Sequence, residues 1–269
     1  MNIKELMSEI DDELKGTFYT QETLEPKIWP FDKKLRPSIR KRLMEIAQDF
    51  YNSLETDAKL KDVTFTGSLA NYNWSKYSDV DLHLIIDYND VNDDYDLVKD
   101  YFNSKKSIWN RNHDIFMDGF EVEVYVQDDN EPHKSTGVYS IMNDEWLTEP
   151  NRVEPAFDWS DITKKAEGLM DQIDRALALY KEKKYIDALQ YIDKLKEKIR
   201  KFRKAGLDRS GEFSSENIAF KALRRNGYLE KLSNLKHMAY DRLMSRKSDG
   251  LIRVKLSETV HSWKKFLRD

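Results

Sequence analysis

The chain of 269 residues has no cysteine. That excludes structural disulfides, thiolate catalysis and cysteine-held zinc or iron–sulfur sites. No apolar run approaches the roughly 20 residues that a helix needs to cross a bilayer. The opening stretch, MNIKELMSEIDDELK, is charged and has no apolar signal-like core, so the expectation is a cytoplasmic protein with no membrane partner. There is no internal repeat and no low-complexity segment. What the chain has is charge: 35% of residues are charged and 39% hydrophobic, a balance that suits a helix-rich globular protein rather than a disordered one.

The net charge of −4 conceals an asymmetry. Residues 1–150 carry 17 Lys+Arg against 31 Asp+Glu, or −14; subtraction from the totals of 45 and 49 leaves 28 against 18, or +10, for residues 151–269. An acidic front and a basic rear suggest metal or nucleotide chemistry in the first part and polyanion contact in the second. Lysine-rich solvated helix faces are the plainer account of the same numbers.

The length accommodates one large domain or two modest ones. Residues 3–15 read as a short amphipathic helix, followed by an irregular stretch with Pro26 and Pro30. From about Arg36, Leu43, Ile46, Ala47, Phe50, Tyr51 and Leu54 recur at helical steps, with Pro37 suited to the first turn. VTFTGS then reads as a strand ending in a Gly67-Ser68 turn, and 79–87 as a second strand. Acidic, helix-compatible sequence follows, then a hairpin, HDIFMDGFEVEVYVQ, with Asp118-Gly119 as its turn. Pro150 and Pro155 flank the expected boundary between residues 1–150 and a helical domain, 151–269. Helices are expected at about 159–182, 184–204, 214–246 in one or two pieces, and 256–267. Their apolar stripes include Leu169, Ile173, Leu177 and Tyr180, then Leu189, Ile192, Leu195 and Ile199.

One stretch does not read as core. In DVDLHLII, Asp79, Asp81 and His83 are two residues apart and point to the same face of a strand. Two like charges there repel each other, and a divalent cation is the usual compensation. In FEVEVYV, Glu121 and Glu123 likewise share a face, opposite Val122, Val124 and Val126.

The run Phe65-Thr66-Gly67-Ser68, a ten-residue spacer and Asp79-Val80-Asp81-Leu82 resembles the nucleotidyltransferase superfamily typified by DNA polymerase β. The resemblance covers residues 35–130. The helical tail loosely resembles poly(A) polymerase, oligoadenylate synthetase and bacterial cyclic-oligonucleotide synthetases, and VEVYVQD is similar to a stretch of phage-encoded nucleotidyltransferases. It implies an α+β fold, with a mixed-sheet catalytic lobe and an α-helical bundle behind it, and the nucleotide between the two. It also implies two Mg2+ ions, for which Mn2+ can substitute, on three carboxylates: Asp79, Asp81 and an acid on a neighbouring strand. Glu123, mid-strand, is preferred; Glu121, nearer the turn, is the runner-up and reads as a solvated edge residue. The family more often has Asp here, so this chain must place a longer arm.

Transfer of a nucleoside monophosphate needs charge neutralisation at the triphosphate, and hard cations take carboxylate oxygens. Gly67 lets backbone approach phosphates, and Ser68 can donate to them. In the spacer loop Lys76 is a phosphate candidate; Tyr72 and Trp74 either pack or stack on a base. His83 either steers the acceptor or a phosphate, or bonds a neighbour. His113 either approaches the site or caps a turn. Relatives hold the triphosphate with Lys and Tyr or Ser from the helical lobe, which makes Tyr191, Lys194 and Lys198 candidates, with Lys201 on the same face. Asn217, Lys221 and Arg224 form a polar stripe that adds Lys221 as a nucleotide contact. The expected activity is transfer from an NTP, ATP among them, to a hydroxyl. The favoured acceptors are an RNA or tRNA end or a second nucleotide, with a protein hydroxyl or an aminoglycoside also open. A non-catalytic nucleotide- or RNA-binding module and a toxin–antitoxin component are the alternatives. Oligomeric state is left open.

Overall fold

The computed structural model describes residues 11–30, 33–133 and 135–245. The helices expected at 3–15, for its first eight residues, and at 256–267 lie outside the described residues. Two compact units divide the chain, Met1–Ala156 and Phe157–Asp269.

The first unit is α+β. Its helices are α1 (Asp11–Gly16), α2 (Pro37–Ser53) and α3 (Tyr95–Asn112); its strands are β1 (Leu60–Thr66), β2 (Val80–Ile86), β3 (Phe116–Met117), β4 (Phe120–Asp128), β5 (Val138–Ser140) and β6 (Glu145–Thr148). Strand order is β3-β4-β2-β1-β5-β6. The β2–β4 pair is parallel and the others antiparallel, so the sheet is mixed.

Local chemistry explains the elements. Pro37 opens α2, where its missing N–H is no loss. The carboxylate of Asp94 caps α3 by accepting from the Leu97 amide at 3.1 Å. Asp118 and Gly119 both have positive φ, the backbone that a two-residue hairpin turn requires. Alternation along β1, β2 and β4 sends Val63, Phe65, Leu82, Leu84, Val122 and Val124 into one core with Leu43, Ala47 and Phe50 of α2 and Val98 and Phe102 of α3. Burying each large apolar side chain contributes about 1.5–3 kcal/mol. This apolar face leaves the opposite face of β1, β2 and β4 with the polar side chains.

Strands β5 and β6 were not expected. Each is short, and they form because β1 offers a second edge, where Thr64 pairs with Ser140 and Phe65 with Tyr139. Trp29 anchors this side, stacked on Phe65 and Trp146 and donating from Nε1 to the Leu69 carbonyl at 2.6 Å.

The second unit is helical: α4 (Trp159–Lys181), α5 (Tyr185–Ser210), α6 (Ser215–Arg225) and α7 (Tyr228–Met244). The expected 214–246 helix is in two pieces, broken at Asn226-Gly227, and α5 runs six residues past its expected end. Gly206 lies in that extension. A Cβ there would sit 2.6 Å from Cβ of Glu216, so its absence lets α6 start against α5. Glu216 is buried and binds Lys165 of α4 at 2.9 Å and Arg209 of α5 at 2.7 Å, tying three helices together. No helix among the described residues is long and apolar enough to cross a membrane.

Candidate metal centre

The site grows out of the register of three strands. Antiparallel β1–β2 pairing puts Thr66 beside Asp81, and parallel β2–β4 pairing puts Asp81 beside Glu123. The next row inward on this face is Thr64, His83 and Tyr125. Asp79 immediately precedes β2. One carboxylate oxygen from each of Asp79, Asp81 and Glu123 lies within 4.8 Å of the other two, and all three residues are half-buried. Glu121, which pairs with Phe116 of β3, is exposed and outside this cluster. Partial burial raises its pKa, with added repulsion from Glu123, Asp114 and Asp79.

Gly67 follows β1 with φ +80°. A Cβ at this position would lie 1.8 Å from Oδ2 of Asp81 and 2.9 Å from its Cγ. The glycine is therefore needed for the carboxylate as much as for any phosphate. Ser68 spends its hydroxyl locally, donating to Oγ of Ser78 at 2.8 Å, while Ser78 Oγ also accepts from the Ser75 amide at 2.9 Å. These bonds close the spacer loop back on the turn. Within the loop, Lys76 is exposed and ion-paired to Glu13, which raises its pKa. Trp74 donates from its indole N–H to the Thr23 carbonyl at 2.8 Å, and Tyr72 and Trp74 pack against the core. Packing, rather than an open stacking surface, is what these two rings do.

His83 stacks on Tyr125, with centroids 4.9 Å apart, and its Nδ1 meets Oε1 of Gln127 at 2.9 Å. Burial foremost, opposed by the bond to Gln127 and aided by the charges of His133 and Lys106, pushes its pKa down to about 4, so the ring is neutral near pH 7. The Tyr125 hydroxyl donates to Oε2 of Glu123. Burial, then the charge of Asp81 and the bond to Glu123, push the Tyr125 pKa up, so the phenol stays protonated. Tyr125 was not singled out from the sequence, although its place two residues after Glu123 on one strand is the signal that finds it. A cleft of about 530 Å³ opens from Thr66, Gly67 and Asp81 past His83 and Gln127 to His133. His113 is elsewhere: it ends α3, stacked on Trp109 with its Nδ1 2.9 Å from the Trp109 carbonyl oxygen.

In the second unit, Lys194 and Lys201 are exposed, and Lys198 donates to Oε1 of Gln172 at 2.7 Å. Lys201 lies 3.4 Å from Glu197, and Tyr191 faces the Arg175 guanidinium at 5.7 Å. The expected stripe on α6 is not uniform. Asn217 is only 1% exposed and fully engaged, accepting from Nε of Arg203 at 3.0 Å and donating to the Glu212 carbonyl at 2.6 Å. It holds helices together. Lys221, one turn on, is half-buried; burial foremost, with Arg225, Arg224 and Arg203 adding and Glu212 opposing, pushes its pKa down to about 8.

No protein-family model matches the chain, and no curated protein matches it. Among solved structures it is similar to the STING-associated CdnE c-di-GMP synthase from Capnocytophaga granulosa, with 16% identity over 89% of this chain and 96% of that one. The TM-score is 0.19, and a likeness at that level carries no argument.

Proposed function

We propose that this protein is a metal-dependent nucleotidyltransferase, moving a nucleoside monophosphate from an NTP to a hydroxyl acceptor. The observation that carries the reading is the convergence of Asp79, Asp81 and Glu123 within 4.8 Å of one another. The donor set fits the group: all three ligands are carboxylate oxygens, the hard donors that Mg2+ and Mn2+ take. The cradle fits too, because the cluster exists only where residue 67 lacks a Cβ. Three carboxylates with oxygens this close repel one another, and a divalent cation among them would relieve that repulsion.

Asp79, Asp81 and Glu123 would hold two such ions. When bound, these lower the pKa of the attacking hydroxyl and neutralise the triphosphate and departing pyrophosphate. The acceptor oxygen bonds to the α-phosphorus as the bond to pyrophosphate breaks. The Gly67-Ser68 turn offers backbone to the phosphates without a side chain in the way. Taken by itself, the second unit offers Tyr191, Lys194, Lys198 and Lys221 as candidates for phosphate contact. The +10 charge of residues 151–269 supports an RNA or tRNA end, or a second nucleotide, as acceptor.

The test is incubation with labelled ATP, GTP, CTP and UTP plus Mg2+ or Mn2+, with and without total tRNA, resolved by chromatography. Label on RNA or a new oligonucleotide spot supports the reading and separates the two acceptors. No product under any condition, with nucleotide bound all the same, replaces it with a non-catalytic binding module.

A further inference from the structure

The third carboxylate differs from the other two by one methylene, and that difference needs a structural answer. A glutamate has one more rotatable bond than an aspartate, and holding it in a single rotamer opposes its conformational entropy. The Tyr125 hydroxyl bonds to one oxygen of Glu123, and the tyrosine is itself held. Its ring stacks on His83 at 4.9 Å and 23°, and the Lys106 ammonium lies 4.7 Å from its centroid. His83 in turn is fixed by Gln127 at 2.9 Å. The parallel register sets this Tyr125–His83 pair directly behind the Glu123–Asp81 pair.

We propose that Tyr125 is a positioning residue for the metal centre: its hydroxyl tethers one oxygen of Glu123 and so presents the carboxylate to Asp79 and Asp81. The inference rests on the reading of these three carboxylates as a metal centre. Partners that orient a metal ligand in this way are worth about 10–100-fold in affinity.

The experiment is Mn2+ titration of the full chain, with free Mn2+ followed by electron paramagnetic resonance. Tyr125→Phe keeps the ring and its stacking and removes only the donor. It is expected to weaken Mn2+ binding about 10–100-fold. In a Glu123→Asp background the shorter carboxylate is withdrawn from the phenol, so Tyr125→Phe is expected to change nothing further. This dependence on Glu123 is a readout that a merely structural tyrosine would not produce. His83→Ala, which removes the stacking partner but leaves the hydroxyl, gives a second variant with the same expected dependence. Equal losses in both backgrounds, or no loss in the wild-type background, overturn the proposal while leaving the metal centre standing. Failure of the wild type to bind Mn2+ at all overturns the metal centre and the tether with it.

Discussion

A methyl group at residue 67 would lie 1.8 Å from the Asp81 carboxylate on a backbone with φ +80°. Gly67→Ala is therefore expected to lose transfer and Mn2+-dependent stabilisation together. With φ +80° and ψ −163° the backbone lies in a region essentially reserved for glycine, which costs another residue about 1–3 kcal/mol; circular dichroism and activity measured together separate loss of the site from loss of the fold. Asp81→Ala acts on the other side of the same contact. It removes one hard oxygen donor from the cluster. The rise that Mg2+ and NTP give the wild type should shrink sharply in the variant. Equal ligand-induced shifts for the two proteins would remove the metal from this site. Glu123→Gln keeps the packing and gives up an anionic ligand, whereas Glu121 lies outside the cluster. The first should reduce kcat far more than Glu121→Gln, and the reverse ranking would move the third ligand two residues along β4.

Helix α6 shows how an element can present one face and use it in two ways. Asn217 and Lys221 are a turn apart, yet Asn217 is consumed by Arg203 and Glu212 while Lys221 sits half-buried among Arg203, Arg224 and Arg225. The folded-state pKa of Lys221, about 8, lies below its ordinary 10.5. Between these values the unfolded chain binds more protons than the folded one, so stability rises with pH. The penalty for keeping this lysine charged is fully present below pH 8 and is removed as pH climbs to 10.5. Lys221→Met is expected to melt higher than the wild type at pH 7, with the difference closing by pH 10.5. Denaturant titrations at both pH values measure it, and a difference that does not narrow would show that Lys221 keeps its ordinary pKa.

On the scale of the whole molecule, the opposed charges of the two sequence halves, −14 and +10, bear on polyanion binding. Each neutralised phosphate releases condensed counterions, so binding of single-stranded RNA weakens with salt by a logarithmic slope of about −0.7 per contact. If the α5 face that carries Lys194, Lys198 and Lys201 grips RNA, replacing all three by Gln should flatten that slope by roughly two units. If it grips only the triphosphate, KM for NTP rises and RNA affinity is unchanged. If neither moves, the lysines are a solvated face.

The sequence by itself determined the periodic parts of this protein. Helical spacing of apolar residues marked α2, α4 and α5, alternation marked β2 and β4, and Asp118-Gly119 marked its hairpin, because each of these signals is local. The same alternation set Asp79 and Asp81 on one strand face and Glu121 and Glu123 on another. Only the tertiary structure decided which glutamate meets the aspartates: residues 81 and 123 are neighbours through a parallel register formed across an intervening helix, and no local pattern encodes a register between distant strands. Strands β5 and β6 escaped notice for a related reason, since three- and four-residue segments have too little alternation to read and depend on the edge that β1 offers. Asn217 looked like part of an open polar stripe because helical spacing reports which residues share a face, not what packs against it. That face was assigned by Arg203, fourteen residues away on α5.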